Sequence, residues 1–176
     1  MLAEICASAV AAAVLAGGTG GAGEYTMRAD ARFAPSPHHA AAKAVTYDRR
    51  LVPASSWIEV RQHTAGHGGT TVKLRATGLR PGHEYGAHVH RKPCGADPDA
   101  AGGHYQYRPS TDPADANPDN EVWLGFTADE HGAGWAVARH DWGFRRGEAS
   151  SVVIHDKPGT KGVRVACFTV PFGWLD

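Results

Sequence analysis

The chain has 176 residues, enough for one domain of ordinary size and a tail. Its 18 Lys and Arg balance 18 Asp and Glu, and this zero net charge gives no electrostatic reason to expect nucleic acid or an anionic membrane as a partner. The 22 glycines and 11 prolines favour many turns, and the 11 histidines hint at metal chemistry, with surface histidines as the alternative.

The first residues predict export. The apolar run at 7–16 suits the core of a signal peptide and is too short to span a bilayer, so residues 1–22 are interpreted as that peptide. A signal peptide usually has a positive charge before its apolar core, but here no Lys or Arg precedes the run and the acidic Glu4 does. A disordered tail is therefore the alternative. Residues 23–42 are predicted to be a flexible linker. The folded domain is then 43–176.

From Ala44 onward, apolar and β-branched residues alternate with polar ones in short runs separated by turn signals. Alternation of period two predicts strands with one buried face. No convincing helix appears. About eight strands predict an all-β sandwich or barrel. The runs are AVTYD, WIEVRQ, TTVKLRATGL, EYGAHVH, EVWLGFTA, GWAVARH, SSVVIHD and VRVACFTV.

Four histidines are the candidate metal ligands. On a strand, His88 and His90 point to one face while Ala87 and Val89 point to the core, which gives half of a copper or zinc site. Such a pair also occurs by chance. His104 follows two glycines that allow an unusual backbone path. His104 and His155, which ends a strand, are each more simply surface residues when taken alone.

Cys94 and Cys167 are an even pair in the mature chain, because Cys6 would leave with the signal peptide. In an exported protein such a pair most simply forms a disulfide. Two buried free thiols are the alternative.

The ordered motifs H-V-H, P-C-G, G-G-H, V-V-I-H-D-K-P and G-V-R-V-A-C resemble the copper/zinc superoxide dismutase family over residues 44–170. The resemblance implies a Greek-key β-sandwich or flattened barrel of about eight antiparallel strands. It implies a Cys94–Cys167 disulfide and an active-site arginine at Arg164, which would otherwise be interpreted as a solvated strand-end charge. The implied copper ligands are His88, His90, His104 and His155, with catalytic roles for His104 and Arg164.

The zinc half of the family's site is predicted to be absent. The loop after His104 contains no histidine, and Trp123 stands where the family's aspartate ligand aligns. Three carboxylates without nitrogen or sulfur donors do not resemble a zinc site; they are Asp112, Asp115 and Asp119. The short stretch 156–163 should leave the copper site open to solvent. Both losses resemble copper-only superoxide dismutases.

Without zinc, the second ring nitrogen of His104 needs another partner. Glu121 is the candidate, with Asp119 next, and an exposed loop glutamate is the alternative. We expect Trp123, Trp135 and Trp142 to be core residues, with positions that flank the site as the alternative.

The resemblance implies an enzyme that disproportionates superoxide at one copper ion. The N-terminal run predicts a secreted or extracytoplasmic location without a membrane span, and the neutral charge predicts no nucleic-acid partner. An exported copper-buffering protein with little turnover is the alternative. A structural sandwich with a vestigial site is a third interpretation. The oligomeric state cannot be assigned.

Overall fold

The computed structural model describes residues 23–35 and 42–174, so the predicted signal peptide at 1–22 lies outside the described residues. The described chain has no α-helix, only two short 3-10 helices at Pro98–Ala101 and Pro113–Asp115. It contains ten strands: β1 (Tyr25–Arg32), β2 (Ala34–Pro35), β3 (Ala44–Thr46), β4 (Trp57–Thr64), β5 (Thr70–Thr77), β6 (Glu84–His90), β7 (Phe126–Thr127), β8 (Gly134–His140), β9 (Ser151–His155) and β10 (Arg164–Thr169).

The strands form two sheets. One has the order β1-β4-β5-β8 and is antiparallel throughout. The other has the order β2-β3-β10-β9-β6-β7 and is antiparallel except for the short β2–β3 pair. Buried residues of both sheets form one hydrophobic cluster between them. The predicted all-β sandwich is therefore confirmed.

The core lies between the sheets because apolar residues alternate along each strand. Val72 and Leu74 of β5 face Ala87 and Val89 of β6 across the interior, and all four are almost fully buried. Burying a side chain such as Leu74 contributes about 1.5–3 kcal/mol. The predicted inward direction of Ala87 and Val89 is thus confirmed, and His88 and His90 must point out of the opposite face.

The predicted linker is wrong over the first part of its range. Strand β1 pairs with β4 along its whole length, from Tyr25 opposite Thr64 to Arg32 opposite Trp57. Met27, Ala29 and Ala31 are its buried face, alternating with polar residues. Small alanines carry a weak apolar signal, so this alternation is easily missed in a Gly- and Ala-rich region. Residues 36–41 of the predicted linker lie outside the described residues.

Seven of the eight predicted runs contain a strand that covers most of the run. The exception is EVWLGFTA, in which only Phe126 and Thr127 form a strand, β7. The earlier residues of this run join the fold through isolated bridges, Glu121 with Gln106 and Trp123 with His88. This irregular stretch runs beside β6 and places Trp123 opposite His88.

Cys94 and Cys167 form a disulfide, with 5.7 Å between their Cα atoms. It joins the loop after β6 to strand β10, 73 residues later in the chain. Disulfides persist in oxidising environments, so the bond suits an extracellular protein. Across the described residues, no helix has the length and apolar character needed to cross a membrane.

Candidate metal centre

Strands β6 and β9 place three of the four histidines. His88 and His90 alternate along β6, and the register sets His155 of β9 opposite Gly86. A Cβ atom on residue 86 would lie 2.5 Å from the carbonyl oxygen of Lys157 and 3.3 Å from the Cβ of His155. Gly86 is therefore needed for the end of β9 to lie this close to β6.

The loop after β6 returns and places His104 beside the same strand. Tyr105 donates its backbone N–H to the carbonyl of Val89 (2.8 Å), and His104 forms an isolated bridge with His90. Gly102 has φ of 70°, which favours glycine and allows this reversal. The His104 ring stacks on the His88 ring, with 4.2 Å between their centroids.

One ring nitrogen from each of His88, His90, His104 and His155 lies within 4.8 Å of the others. Three of these are buried without any hydrogen-bond partner: Nδ1 of His88, Nε2 of His90 and Nε2 of His155. Nδ1 of His90 donates to the carbonyl of Gly102, and Nδ1 of His155 donates to that of Gly162, both at 2.9 Å. A carbonyl oxygen can only accept, so the Nε2 lone pairs of both rings face the cluster.

The cluster is held in the neutral form that a metal requires. Burial lowers the pKa of His88 and His90 to about 2, and the nearby His104 adds to the effect on both. Burial also lowers the pKa of His155. A buried nitrogen without a partner costs stability, and a metal ion would satisfy all of them at once. The four histidines can therefore hold a metal ion, and four imidazoles suit copper or zinc.

Glu121 holds the outer nitrogen of His104. Its Oε2 accepts from Nδ1 of His104 at 2.7 Å and from the indole N–H of Trp123 at 2.9 Å, and its Oε1 accepts from Gln106 at 3.0 Å. Burial alone would raise the pKa of Glu121, but these hydrogen bonds outweigh it and the pKa is lowered. The residue is a buried carboxylate. Asp119, the second candidate, is exposed.

Arg164 opens β10 directly opposite His155. Its two terminal nitrogens donate to the carbonyls of Pro98 (2.9 Å) and Gly102 (2.7 Å), so it is held in place rather than solvated as a free strand-end charge. Its positive charge helps to lower the pKa of His90 and His155. The carbonyl of Gly102 therefore binds both Arg164 and His90.

The loop acids Asp112 and Asp115 belong to a local turn of the chain. Within the described parts of the chain, the four histidines are the one group of three or more His, Cys, Asp or Glu arranged to hold a metal. Asp112 caps a short 3-10 helix by accepting from the N–H of Ala114. Asp115 lies within that helix.

The tryptophans divide three ways. Trp142 is buried, as expected of a core residue. The core expectation is wrong for the other two. Trp123 packs edge-on against His88, with 5.2 Å between the ring centroids, and Trp135 is 70% exposed. Sequence reasoning also missed Gln106 and the carbonyls of Gly102 and Gly162. Backbone carbonyls carry no side-chain signal that could have found them.

No protein-family model matches the sequence, and no curated protein matches it. Among solved structures, the chain is similar to a SOD-like protein from Bacillus subtilis, with 18% identity over 73% of this chain and 95% of that one, at a TM-score of 0.50. It is also similar to a single-substitution variant of a SOD-like protein from Bacillus subtilis, with 19% identity over 74% and 96% of the two chains and a TM-score of 0.50. At this identity the likeness establishes a SOD-like fold.

Proposed function

We propose that this protein is a superoxide dismutase that binds one copper ion between His88, His90, His104 and His155. The observation that carries the proposal is the set of buried, unpartnered ring nitrogens that face one another. Imidazole nitrogens suit copper in both of its common oxidation states. When bound, copper supplies one-electron chemistry that oxidises one superoxide to dioxygen and reduces a second, with two protons, to hydrogen peroxide.

Arg164 is proposed to attract and orient the anion. Its guanidinium is fixed by the carbonyls of Pro98 and Gly102 and lies close enough to His90 and His155 to affect their pKa. A guanidinium fixed in this way offers directed N–H groups and a permanent positive charge to a small anion. The carboxylate of Asp99, 3.6 Å away, is 87% exposed and offsets that charge only weakly.

His104 and Glu121 are proposed to handle a proton. The carboxylate of Glu121 keeps a proton on Nδ1 of His104, so the Nε2 lone pair is directed to the cluster. When Nε2 takes up a proton, the resulting imidazolium is stabilised by the charged carboxylate at 2.7 Å. The His104 side chain is 15% exposed, whereas the other three histidines are buried, so water reaches the cluster most readily at this ring.

The site is proposed to use copper without zinc. Nδ1 of His104, the nitrogen that would contact a second ion, is already bonded to Glu121. The loop from Tyr105 to Asn120 offers no histidine or cysteine to hold such an ion. This arrangement supports a relationship to copper-only superoxide dismutases.

We also propose that the protein works outside the cytoplasm. The apolar N-terminal run is typical of an export signal, and the Cys94–Cys167 disulfide suits an oxidising compartment.

Superoxide-dependent dioxygen evolution after copper loading tests the function. We expect one copper per chain and rapid turnover, with both abolished in His88→Ala. His131→Ala is the matched control, because His131 is exposed on a turn away from the cluster. Stoichiometric copper without turnover would favour a copper-buffering role. Failure to bind copper at all would favour a purely structural sandwich.

A further inference from the structure

The outward side chains of β1, β4, β5 and β8, here called the outer sheet face, concentrate positive charge. They include two acids, Asp30 and Glu59. Six cations against two acids leave an excess of four positive charges, although the whole chain is neutral. The cations are Arg28, Arg32, Arg61, Lys73, Arg75 and Arg139.

The register sets several of these cations directly opposite one another. Arg61 pairs with Arg28 on one side and with Lys73 on the other. Like charges in directly opposed positions destabilise a sheet. Glu59 relieves part of the repulsion by accepting from both arginines. Folding alone gives no reason for this concentration of charge.

Three cations of the face have no partner among the residues that the structure describes. The side chains of Lys73, Arg75 and Arg139 are exposed and form no hydrogen bond or ion pair with a described residue. They are therefore available to a ligand.

A small cavity of about 260 Å³ lies on the same face. Its lining combines cations with hydroxyl groups, which is the chemistry of a phosphate site. The polar residues that line it from the outer sheet face are Thr26, Arg28, Arg61, His63, Thr71 and Lys73.

An exposed aromatic ring borders the cations. Trp135 of the edge strand β8 pairs with Arg75 and is 70% exposed, and Val137 beside it pairs with Lys73. Tryptophan rings are enriched where membrane proteins meet the lipid headgroups, because the ring is amphipathic. The outer sheet face thus combines unpaired cations with an interfacial aromatic residue.

We propose that the outer sheet face docks this protein onto a bilayer surface rich in anionic phospholipid, with a lipid phosphate in the cavity beside Arg61 and Lys73. The cations spread in two dimensions over four strands, so a planar partner can contact all of them, whereas a nucleic-acid strand would follow a line. The N-terminal residues 1–22 contain a single acid, Glu4, and cannot supply the complementary charge.

Docking in this way leaves the metal centre uncovered. His88 and His90 point outward from the six-stranded sheet, on the opposite side of the sandwich from the outer sheet face. The proposal is therefore independent of the chemistry assigned to the histidines.

Cosedimentation of the full chain with sucrose-loaded vesicles tests the proposal. Vesicles of phosphatidylcholine alone report any binding by the apolar N-terminal run, and vesicles that also contain phosphatidylglycerol report the charge. We expect a strong preference for the anionic vesicles that is lost at high salt. Lys73→Glu/Arg75→Glu should lower the partition coefficient by about thirtyfold or more.

Arg49→Glu/Lys161→Glu is the matched control, since both residues are exposed elsewhere and the net charge changes equally. It should lower binding only slightly. Trp135→Ala should weaken binding while circular dichroism shows an intact fold. Equal loss in both charge variants, or no preference for anionic vesicles, would overturn the proposal. Tighter binding to oligothymidylate, lost in Lys73→Glu/Arg75→Glu, would replace the bilayer with a nucleic acid.

Discussion

The buried histidines make the metal-free protein sensitive to mild acid. His88 and His90 have pKa values near 2 in the folded chain, against 6.5 when unfolded, so they remain neutral in the native state as the pH falls. The unfolded state then binds more protons than the native state, and stability decreases with decreasing pH.

The size of the effect follows from the unfolded pKa, because the native values lie far below the range of interest. A pH of 5.5 is one unit below the pKa of 6.5 of an unfolded histidine, so each of the two binds a proton in the unfolded state. This favours unfolding by about 1.4 kcal/mol per residue. The two together should lower the free energy of unfolding by about 3 kcal/mol between pH 7.5 and 5.5. His155 adds to this, since burial lowers its pKa as well.

Urea denaturation of the EDTA-treated protein at both pH values measures this difference. His88→Gln/His90→Gln should show a clearly smaller one, because uncharged amides do not titrate. Glu121 does not interfere. Its lowered pKa contributes stability that is lost only as the pH falls below the ordinary value of 4.5, which lies outside the range compared. A wild-type protein whose stability is the same at pH 7.5 and 5.5 would refute the buried, neutral cluster.

Three further predictions concern the support of the site. Glu121→Gln should weaken copper binding by about ten- to a hundredfold by removing the charge on the outer nitrogen of His104, and unchanged affinity in a competition titration would contradict this. Cys94→Ser/Cys167→Ser should lower the free energy of unfolding by about 4 kcal/mol, measured by urea denaturation, because the bond closes a loop across 73 residues. Gly86→Ala should cost about 1–3 kcal/mol because its Cβ would meet the Lys157 backbone, whereas Gly103→Ala, with open space around it, should cost less.

Much of the sandwich could be predicted because its strands are rich in Val, Ile and Thr at alternating positions. The run TTVKLRATGL shows this in β5, where Val72 and Leu74 are buried between exposed polar residues. Strand β1 was missed because Ala29 and Ala31 are small and differ little in hydrophobicity from their neighbours. In the structure both are buried, and β1 pairs with β4.

The four histidines could be identified together only because the ordered motifs around them resemble a known family. Glu121 could be proposed because the second ring nitrogen of His104 needs a partner. The outer sheet face could not, because a neutral composition conceals where the charges lie. The opposition of Arg61 and Lys73 depends on the pairing of β4 with β5, and that of Arg28 and Arg61 on a strand that was interpreted as linker. Charge segregation of this kind becomes visible only once the register is known.

The carbonyl oxygen of Gly102 accepts hydrogen bonds from both Nδ1 of His90 and a terminal nitrogen of Arg164. This shared acceptor limits how the site could be altered. A shift of this one oxygen moves a metal ligand and the proposed substrate-binding cation together. Substitutions in the loop that carries it should therefore change metal retention and anion affinity in step. Improving one without disturbing the other would require changes elsewhere, on β6 or β10.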